Sequence, residues 1–288
     1  MRLAPAKTNL FLEVPARRAD GFHELDTVFV ELELADRLSV EPAETLDLQV
    51  LGDDTVPGGE GNLVWRAADA LRRAADQPDA GAKIVLEKSI PSGGGLGGGS
   101  SNAAATLLAL DAHWQTNVGA AALHGIAAGL GSDVAFFLRG GLQRGRGRGE
   151  LLEPLSPLVS PLELLLCFPP FPCPTPQVFG ALAPFLPATP RSPEPLLSAL
   201  STGDVHAIGK ELFNRLEAPA FAEFPELARL KTDLAARPGV VATLLSGSGS
   251  TLLCLMESAA AATREQTALA GEGLRCVATR TATGGGTP

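Results

Sequence analysis

The sequence lacks the features that would place it in a membrane or on a nucleic acid. Its 288 residues contain no apolar run approaching the ~18 residues that a membrane-spanning helix needs. No apolar segment of the signal-peptide type precedes Pro5 and Lys7. Lysine and arginine number 23 against 32 aspartates and glutamates, a formal net charge of −9, which disfavours binding to a polyphosphate backbone. We therefore expect a cytosolic protein that binds neither membrane nor nucleic acid.

Paired cysteines of the zinc-binding type are also missing. The chain has four cysteines, none in a C-x-x-C pair and none near a histidine partner, which disfavours a zinc site. In a cytosolic protein the simplest interpretation is four small buried thiols, namely Cys167, Cys173, Cys254 and Cys276.

Length and composition predict a globular protein of two domains. Apolar residues make up 45% of the chain, and one domain usually takes roughly 100–200 residues. Thirteen of the 23 prolines fall between Pro154 and Pro195, which indicates a boundary. Composition thus permits an N-terminal domain of 1–153 and a C-terminal domain of 154–288. Strands and helices mix in both halves, which favours an α+β fold over a regular βαβ winding.

Hydrophobic periodicity places the main elements. A strand is predicted over 3–14, and the alternation in 27–34 predicts a second strand with only one buried face. Helices are predicted over 62–75, with Asn62 as the N-cap, over 100–114 and over 204–217. Two strands flank SGSGST, and TATGGGTP at the end is predicted to be a frayed tail.

The strongest local feature is a glycine loop between a predicted strand and a predicted helix. Six glycines surround Leu96, in two runs at 93–95 and 97–99. Glycines leave the backbone N–H groups open, and a helix N-terminus adds the positive end of its dipole, so this segment predicts a polyphosphate site. A flexible linker is the alternative, but a linker is not expected between a strand and a strong helix.

Three known phosphate loops fit poorly. A Walker loop requires Gly-Lys-Ser/Thr, whereas Gly99 is followed by Ser100. The dinucleotide pattern G-x-G-x-x-G is met by Gly93, Gly95 and Gly98, but any glycine run meets it, and Asp111 lies in a helical pattern rather than at a strand end. The H-R-D and D-F-G motifs of protein kinases are absent.

The loop instead resembles that of the GHMP kinase superfamily of small-molecule ATP kinases. The resemblance rests on Pro91, Gly95, Leu96, Gly97, Ser100, Ser101, Ala103 and Ala104. The N-terminal PAKTNLFL and the C-terminal SGSGST resemble two further motifs of the superfamily in the same order. This resemblance implies a two-domain α+β fold with its active site in the cleft between the domains.

Further segments narrow the resemblance to the members that act on a cytidine-linked alcohol. They are RADGFHEL, GGGLGGGSSN, GLGSDVAFFL, PTPQVF and LLSGSGS. The resemblance implies that ATP, with Mg²⁺, phosphorylates the 2-hydroxyl of 4-diphosphocytidyl-2-C-methyl-D-erythritol. That reaction belongs to the non-mevalonate (methylerythritol phosphate) route to isoprenoid precursors.

The resemblance, carried over position by position, assigns Lys7 and Asp133 as a catalytic pair. A carboxylate can accept the proton of an alcohol as that alcohol attacks the γ-phosphate, and a lysine beside it offsets negative charge. Residue chemistry alone would favour a surface lysine and a helix-capping aspartate, so these roles depend on the resemblance.

The resemblance also implies the remaining site residues. ATP is assigned to Pro91, Ser92, Gly93, Gly94, Gly95, Leu96, Gly97, Gly98, Gly99, Ser100, Ser101, Asn62 and Lys88. The substrate is assigned to Asn9, Phe22, His23, Thr175 and Phe179. Phe22 stands where the family often has tyrosine, and it keeps a stacking face without the hydroxyl. Asn62 fits a simple helix cap equally well. Metal ligands are not assigned, although Ser100 and Ser101 are candidates.

Other functions stay open at this point. A homoserine or mevalonate kinase shares the superfamily motifs but has no cytosine to stack. A nucleotide-binding protein without catalysis, or a dinucleotide-binding oxidoreductase, would also use a glycine loop. The sequence leaves a monomer and a homodimer equally possible.

Overall fold

A computed structural model describes residues 1–282 of the chain. Within this range eleven strands form two sheets: β1 (Arg2–Arg17), β2 (His23–Glu41), β3 (Leu46–Leu51), β4 (Ala82–Glu87), β5 (Leu142–Gly147), β6 (Leu151–Pro154), β7 (Glu163–Phe168), β8 (Phe213–Asn214), β9 (Val240–Leu245), β10 (Leu252–Met256) and β11 (Arg275–Arg280). The seven-stranded sheet runs β3-β4-β2-β1-β8, with β5 on β2 and β6 on β5. The four-stranded sheet runs β11-β7-β10-β9.

Helices cover both sheets, so the α+β prediction is confirmed. They are α1 (Leu63–Ala74), α2 (Gly98–Trp114), α3 (Ala120–Leu130), α4 (Val134–Phe137), α5 (Thr175–Gly180), α6 (Glu194–Thr202), α7 (Val205–Glu211), α8 (Glu217–Glu223), α9 (Pro225–Ala235) and α10 (Ala259–Gly271), with a 3-10 turn at Ala183–Phe185. The second half of the chain contributes β8 to the first sheet, where it pairs in parallel with β1. The 153/154 boundary itself stays a prediction.

Strand β2 is buried on both faces, so the prediction of one buried face was wrong. Phe29 packs into a core that contains the helices α1 to α4. Val28, Val30 and Leu32 point the other way, into a core shared with β7 and β10. On the first of these faces Glu31 is only 8% exposed, whereas Glu33, two residues further along, is exposed. When both faces of a strand are covered, the alternation of apolar and polar residues in its sequence does not reveal that the second face is buried.

The helix predicted over 204–217 is interrupted by β8. Helix α7 ends at Glu211, and Asn214 then donates from Nδ2 to the carbonyls of Leu245 (2.8 Å) and Gly247 (2.7 Å). Arg215 makes a two-pronged ion pair with the buried Glu13. These distant partners outweigh a local helical pattern.

Two helix starts bear on the site. Asn62 caps α1, as predicted, by accepting a hydrogen bond from the N–H of Val64. Helix α2 begins at Gly98, two residues before the predicted start. Gly97 supplies its N-cap in the left-handed region, with φ +70°, a conformation that glycine adopts without a steric penalty.

All four cysteines are buried and free. Within the described residues, no helix is long and apolar enough to cross a membrane. The two strands around SGSGST are present as β9 and β10. Thr281, the first residue of the predicted tail, bridges Leu32 and is therefore not frayed; 283–288 lie outside the described residues.

Candidate active site

One cavity of about 820 Å³ brings residues from both halves of the chain together. Its lining includes ten of the predicted site residues: Lys7, Asn9, Phe22, His23, Gly95, Gly97, Ser100, Asp133, Thr175 and Phe179. A second cavity of about 380 Å³ follows the glycine loop from Pro91 to Ser100 and shares Gly95, Gly97 and Ser100 with the first. We call them the main cavity and the loop cavity.

Lys7 and Asp133 meet where the two cavities adjoin. The Lys7 ammonium lies 3.1 Å from a carboxylate oxygen of Asp133. Lys7 is 4% exposed, whereas the Asp133 side chain is 32% exposed. The ammonium also donates to Asn9 Oδ1 at 3.1 Å and lies 5.1 Å from the centroid of the Phe29 ring. The lysine is thus held from several sides, and the carboxylate faces the cavity.

Asp133 occupies the N-cap position of α4 but does not cap it. Its side chain makes no capping hydrogen bond to the helix. The carboxylate is therefore committed to Lys7 and the cavity rather than to local structure. Helix α4 in turn packs Val134 and Phe136 into the core, which fixes the backbone beneath the carboxylate.

A hydrogen-bond chain orients Asn9. Its Nδ2 donates to Thr27 Oγ1 at 2.7 Å, and that hydroxyl donates to the Phe11 carbonyl at 2.7 Å. The amide oxygen of Asn9 is thereby left for Lys7. Thr27 was not predicted, because its partners depend on the register of β1 against β2, for which the sequence carries no local signal.

The glycine loop needs glycine at the points of closest approach. Gly95 has φ +76°, and a Cβ there would lie 2.3 Å from the carbonyl oxygen of Ser246. A Cβ on Gly97 would lie 3.0 Å from both Lys7 Cγ and the Phe137 ring. The loop is thus packed against the SGSGST turn and the Lys7 side chain, which excludes a flexible linker.

The first turn of α2 supplies hydrogen-bond donors to the loop cavity. The N–H groups of Gly98, Gly99 and Ser100 precede the first intrahelical bond, which Ser101 donates to the Gly97 carbonyl at 2.8 Å. All three residues line the loop cavity, together with Pro91, Ser92, Gly93, Gly94 and Leu96. This is the geometry expected of an anion site at a helix N-terminus.

The neighbouring residues Ser100 and Ser101 line different cavities. Ser100 lines both the main cavity and the loop cavity. Ser101 is 1% exposed, its hydroxyl has no hydrogen-bond partner within the described residues, and it faces a small cavity beside Glu31. The structure therefore brings Ser100, and not Ser101, to the cavities.

Asn62 and Lys88 line the loop cavity but already have protein partners. Asn62 caps α1 and donates from Nδ2 to the Pro57 carbonyl at 2.7 Å. Lys88 pairs with the buried Asp36 and donates to Asn102 Oδ1 at 3.1 Å. No sequence motif predicts this network, because Asp36 and Lys88 meet only through the pairing of β2 with β4. The ATP contact assigned to each of these two residues stays a prediction.

Aromatic rings line the far part of the main cavity. The rings of His23 and Phe179 lie 5.1 Å apart, centroid to centroid. Phe22 is 54% exposed and also lines this cavity. Burial, aided by the positive charge of Arg17, lowers the pKa of His23 below its ordinary value, which favours the neutral imidazole.

The SGSGST turn joins the two halves of the chain at the site. Ser246 Oγ lies 3.0 Å from Thr8 Oγ1, and Ser248 Oγ lies 2.7 Å from Thr175 Oγ1. Thr175 begins α5, which also carries Phe179. The turn thereby ties β1, the glycine loop and α5 together.

Comparison with known proteins identifies the class of enzyme to which the chain belongs. The family described as GHMP kinases N terminal domain matches residues 62–141, and GHMP kinases C terminal matches 196–274. A crystal structure of mevalonate kinase superposes with a TM-score of 0.70 at 13% identity, covering 96% of this chain and 97% of that one, which shows the fold alone. The chain belongs to the GHMP kinases and has their two-domain α+β fold.

Relatives of higher identity narrow the class to one family. A relative from Rhodococcus jostii (strain RHA1), described as 4-diphosphocytidyl-2-C-methyl-D-erythritol kinase, is 43% identical and covers 98% of this chain and 91% of its own length. A crystal structure of 4-(cytidine 5'-diphospho)-2C-methyl-D-erythritol kinase superposes with a TM-score of 0.84 at 42% identity, covering 98% of this chain and 99% of that one. The chain is a member of the 4-diphosphocytidyl-2-C-methyl-D-erythritol kinase family.

Proposed function

We propose that this protein transfers the γ-phosphoryl group of ATP to the 2-hydroxyl of 4-diphosphocytidyl-2-C-methyl-D-erythritol. The products are the 2-phosphate and ADP, within the non-mevalonate route to isoprenoid precursors. The observation that carries the proposal is the contact of Lys7 with Asp133 at 3.1 Å, where the loop cavity meets a larger cavity lined with aromatic rings. Family membership selects this alcohol over mevalonate or homoserine.

The loop cavity supports ATP binding. The free N–H groups of Gly98, Gly99 and Ser100 and the positive end of the α2 dipole suit the phosphates. Asn62 and Lys88 line the same cavity and are the residues assigned to the adenine.

Asp133 and Lys7 have different roles at the reacting oxygen. The Asp133 carboxylate accepts the proton of the 2-hydroxyl as that oxygen bonds to the γ-phosphorus and the bond to the ADP oxygen breaks. The Lys7 ammonium offsets the negative charge on the attacking oxygen. Asn9 orients Lys7 and lies beside the alcohol. Placing the alcohol and the γ-phosphate in line supplies much of the rate.

The donor set suits Mg²⁺ bound mainly through ATP. No group of three His, Cys, Asp or Glu that could hold a metal occurs among the described residues. Mg²⁺ typically takes one or two carboxylates, several waters and the phosphates, and the Asp133 carboxylate and the Ser100 hydroxyl are candidate ligands among the oxygens of the cavity lining. When bound, Mg²⁺ neutralises charge on the transferring phosphoryl group.

The aromatic part of the main cavity suits the cytidine. Phe22 and Phe179 offer two flat apolar faces for the base, and a neutral His23 can both donate and accept a hydrogen bond. Thr175 borders the same region. A cytosolic location and the choice between monomer and homodimer stay predictions.

Identification of the product tests this proposal. Purified protein, Mg-ATP and the cytidine-linked alcohol should yield ADP and a new phosphomonoester signal in the ³¹P spectrum. Carbon–phosphorus coupling should place that phosphate on carbon 2. A phosphate on another hydroxyl, or ADP with no phosphorylated alcohol, would refute the proposal.

A further inference from the structure

Two arginines line the main cavity beside the aromatic rings. Arg17 and Arg148 share this lining with Phe22 and His23. Among the residues that the structure describes, Lys7 is the only other lysine or arginine in the lining, and it is paired with Asp133. In a chain of net charge −9, two cations at one cavity point to an anionic ligand group.

Arg148 is placed by a tight turn between β5 and β6. Gly147 and Gly149 on either side have φ +71° and +104°, and the Arg148 N–H donates to Glu150 Oε2 at 2.6 Å. The turn holds the Arg148 guanidinium 4.9 Å from the Phe22 ring centroid. One face of the guanidinium thus has an aromatic support that leaves its N–H edges available.

Arg148 has few protein partners compared with other arginines of the same hairpin. Arg144 makes two hydrogen bonds to Asp26, at 2.8 and 2.7 Å. Arg146 pairs with Glu153 at 3.3 Å. The Arg148 side chain donates no hydrogen bond within the described residues, and its nearest carboxylate oxygen, on Glu150, is 3.8 Å away.

Arg17 adds a second charge close to the first. It ends β1 directly opposite His23, is exposed, and makes no ion pair among residues 1–282. The adjacent Arg18, by contrast, pairs with both Asp20 and Glu24. Arg17 therefore stands beside the base region without a carboxylate of its own.

We infer that Arg148, assisted by Arg17, recognises the diphosphate group that links the two ends of the substrate. The inference rests on the proposed function, because the substrate must span from the Lys7–Asp133 pair to the aromatic rings. The diphosphate of the substrate then lies between these two ends and carries two negative charges. A guanidinium meets phosphate oxygens with two parallel N–H donors, which gives direction as well as charge.

The alternative role for Arg148 is to hold the Phe22 ring in place. Comparing the binding of CDP with the binding of cytidine distinguishes this role from recognition of the diphosphate. Arg148→Gln should weaken CDP binding about tenfold, as expected for one lost charge-assisted hydrogen bond. Cytidine, which has no phosphate, should change by less than about twofold. Inhibition constants or calorimetric titration give both values. Arg146→Gln is the matched control from the same hairpin and should leave both ligands unaffected.

Arg17→Gln should show a smaller loss that is also specific to CDP, with Arg18→Gln as its control. Arg148→Lys keeps the charge and should retain part of the CDP affinity if the Gln variant folds poorly. An equal loss for CDP and cytidine would assign Arg148 to Phe22 alone and overturn the inference, as would no loss for either. If the CDP-specific loss appears but the unaltered protein does not phosphorylate the full substrate, the proposed function fails and the diphosphate site stands.

Discussion

Lys7 is almost fully buried, yet its ammonium is surrounded by groups that stabilise a charge. A carboxylate, an amide oxygen and an aromatic face lie within 5.1 Å of it. A buried charge without such partners would cost several kcal/mol. Of the two members of the pair, only Asp133 has a substantial exposed fraction, at 32%. Proton transfer is therefore assigned to the carboxylate, and charge compensation to the lysine.

Replacing the Asp133 carboxylate tests this division. Asp133→Asn keeps the size of the side chain but removes the proton acceptor, so kcat should fall about 10²–10⁴-fold while ATP still binds. Single-turnover kinetics and an ATP-binding titration measure the two effects. Asp47→Asn, at an exposed position of β3, is the control. Near-normal turnover of folded Asp133→Asn protein would disprove the role.

Glu31 offers a prediction of pH dependence away from the reacting groups. Burial raises the pKa of its carboxyl, although the N–H of Gly141 partly opposes this with a hydrogen bond. The folded state therefore holds the proton more tightly than the unfolded state does. Stability is lost as pH rises from the ordinary value of 4.5 through the raised folded pKa, and the loss persists above it.

Glu31→Gln should remove that loss and keep an oxygen for the Gly141 N–H. Its Tm should exceed that of the parent at about pH 8, and the difference should shrink toward about pH 5, following the linkage relation. Glu33→Gln, two residues along β2 and exposed, should show no such trend. A pH-independent difference in Tm would contradict the assignment to Glu31.

At the scale of elements, the site depends on how closely the glycine loop approaches the SGSGST turn. Gly95→Ala would place a Cβ 2.3 Å from the Ser246 carbonyl oxygen, whereas at Gly93 nothing lies within 4 Å of an added Cβ. Both residues have left-handed φ values, +76° and +75°. Alanine at either position therefore suffers the same conformational strain of about 1–2 kcal/mol.

Gly95→Ala should therefore lose ATP affinity and lower Tm well beyond Gly93→Ala. Titration with a non-hydrolysable ATP analogue and thermal unfolding compare the two. The difference between the variants measures the close packing, because the conformational strain cancels. Equal effects in both variants would show that the approach to Ser246 is unimportant.

The elements differ in how far the sequence predicts them. Strands β9 and β10 were predicted because glycines and serines separate two short apolar runs. The helix predicted over 204–217 was wrong, because Asn214 and Arg215 bond to residues far along the chain. Burial of β2 on both faces was likewise missed, since the layer that covers its second face comes from the other half of the chain.

At the scale of the whole molecule, the two halves share one hydrophobic core. Leu10 and Phe11 of β1 and Val30 of β2 pack with Leu166 of β7 and Leu253 of β10. The first sheet also receives β8 from the second half. Two domains assembled in this way are expected to unfold together.

Residues 1–153 expressed alone should therefore fail to fold cooperatively, because half of this core would be exposed to water. Poor dispersion in the amide NMR spectrum of the fragment would show this, alongside a single calorimetric transition for the full chain. A well-dispersed fragment spectrum with its own unfolding transition would show instead that the halves fold independently.

The site was predictable where it follows motifs and unpredictable where it depends on register. Lys7, Asp133 and the glycine loop stand in recognisable segments, and the structure brings them together. Thr27 and Asp36 come close to the site only through strand pairing, and Arg148 only through the turn that carries it. Residues with ordinary local surroundings need the fold before a role can be assigned to them.

Acceptor-dependent ADP release by the full chain tests the central claim most directly. The purified protein would be given Mg-ATP with 4-diphosphocytidyl-2-C-methyl-D-erythritol, with mevalonate, with homoserine, or with no acceptor. We predict turnover with the cytidine-linked alcohol alone, and its loss in Asp133→Asn. Turnover with mevalonate or homoserine but not with the cytidine-linked alcohol would contradict the account of the main cavity and of the substrate.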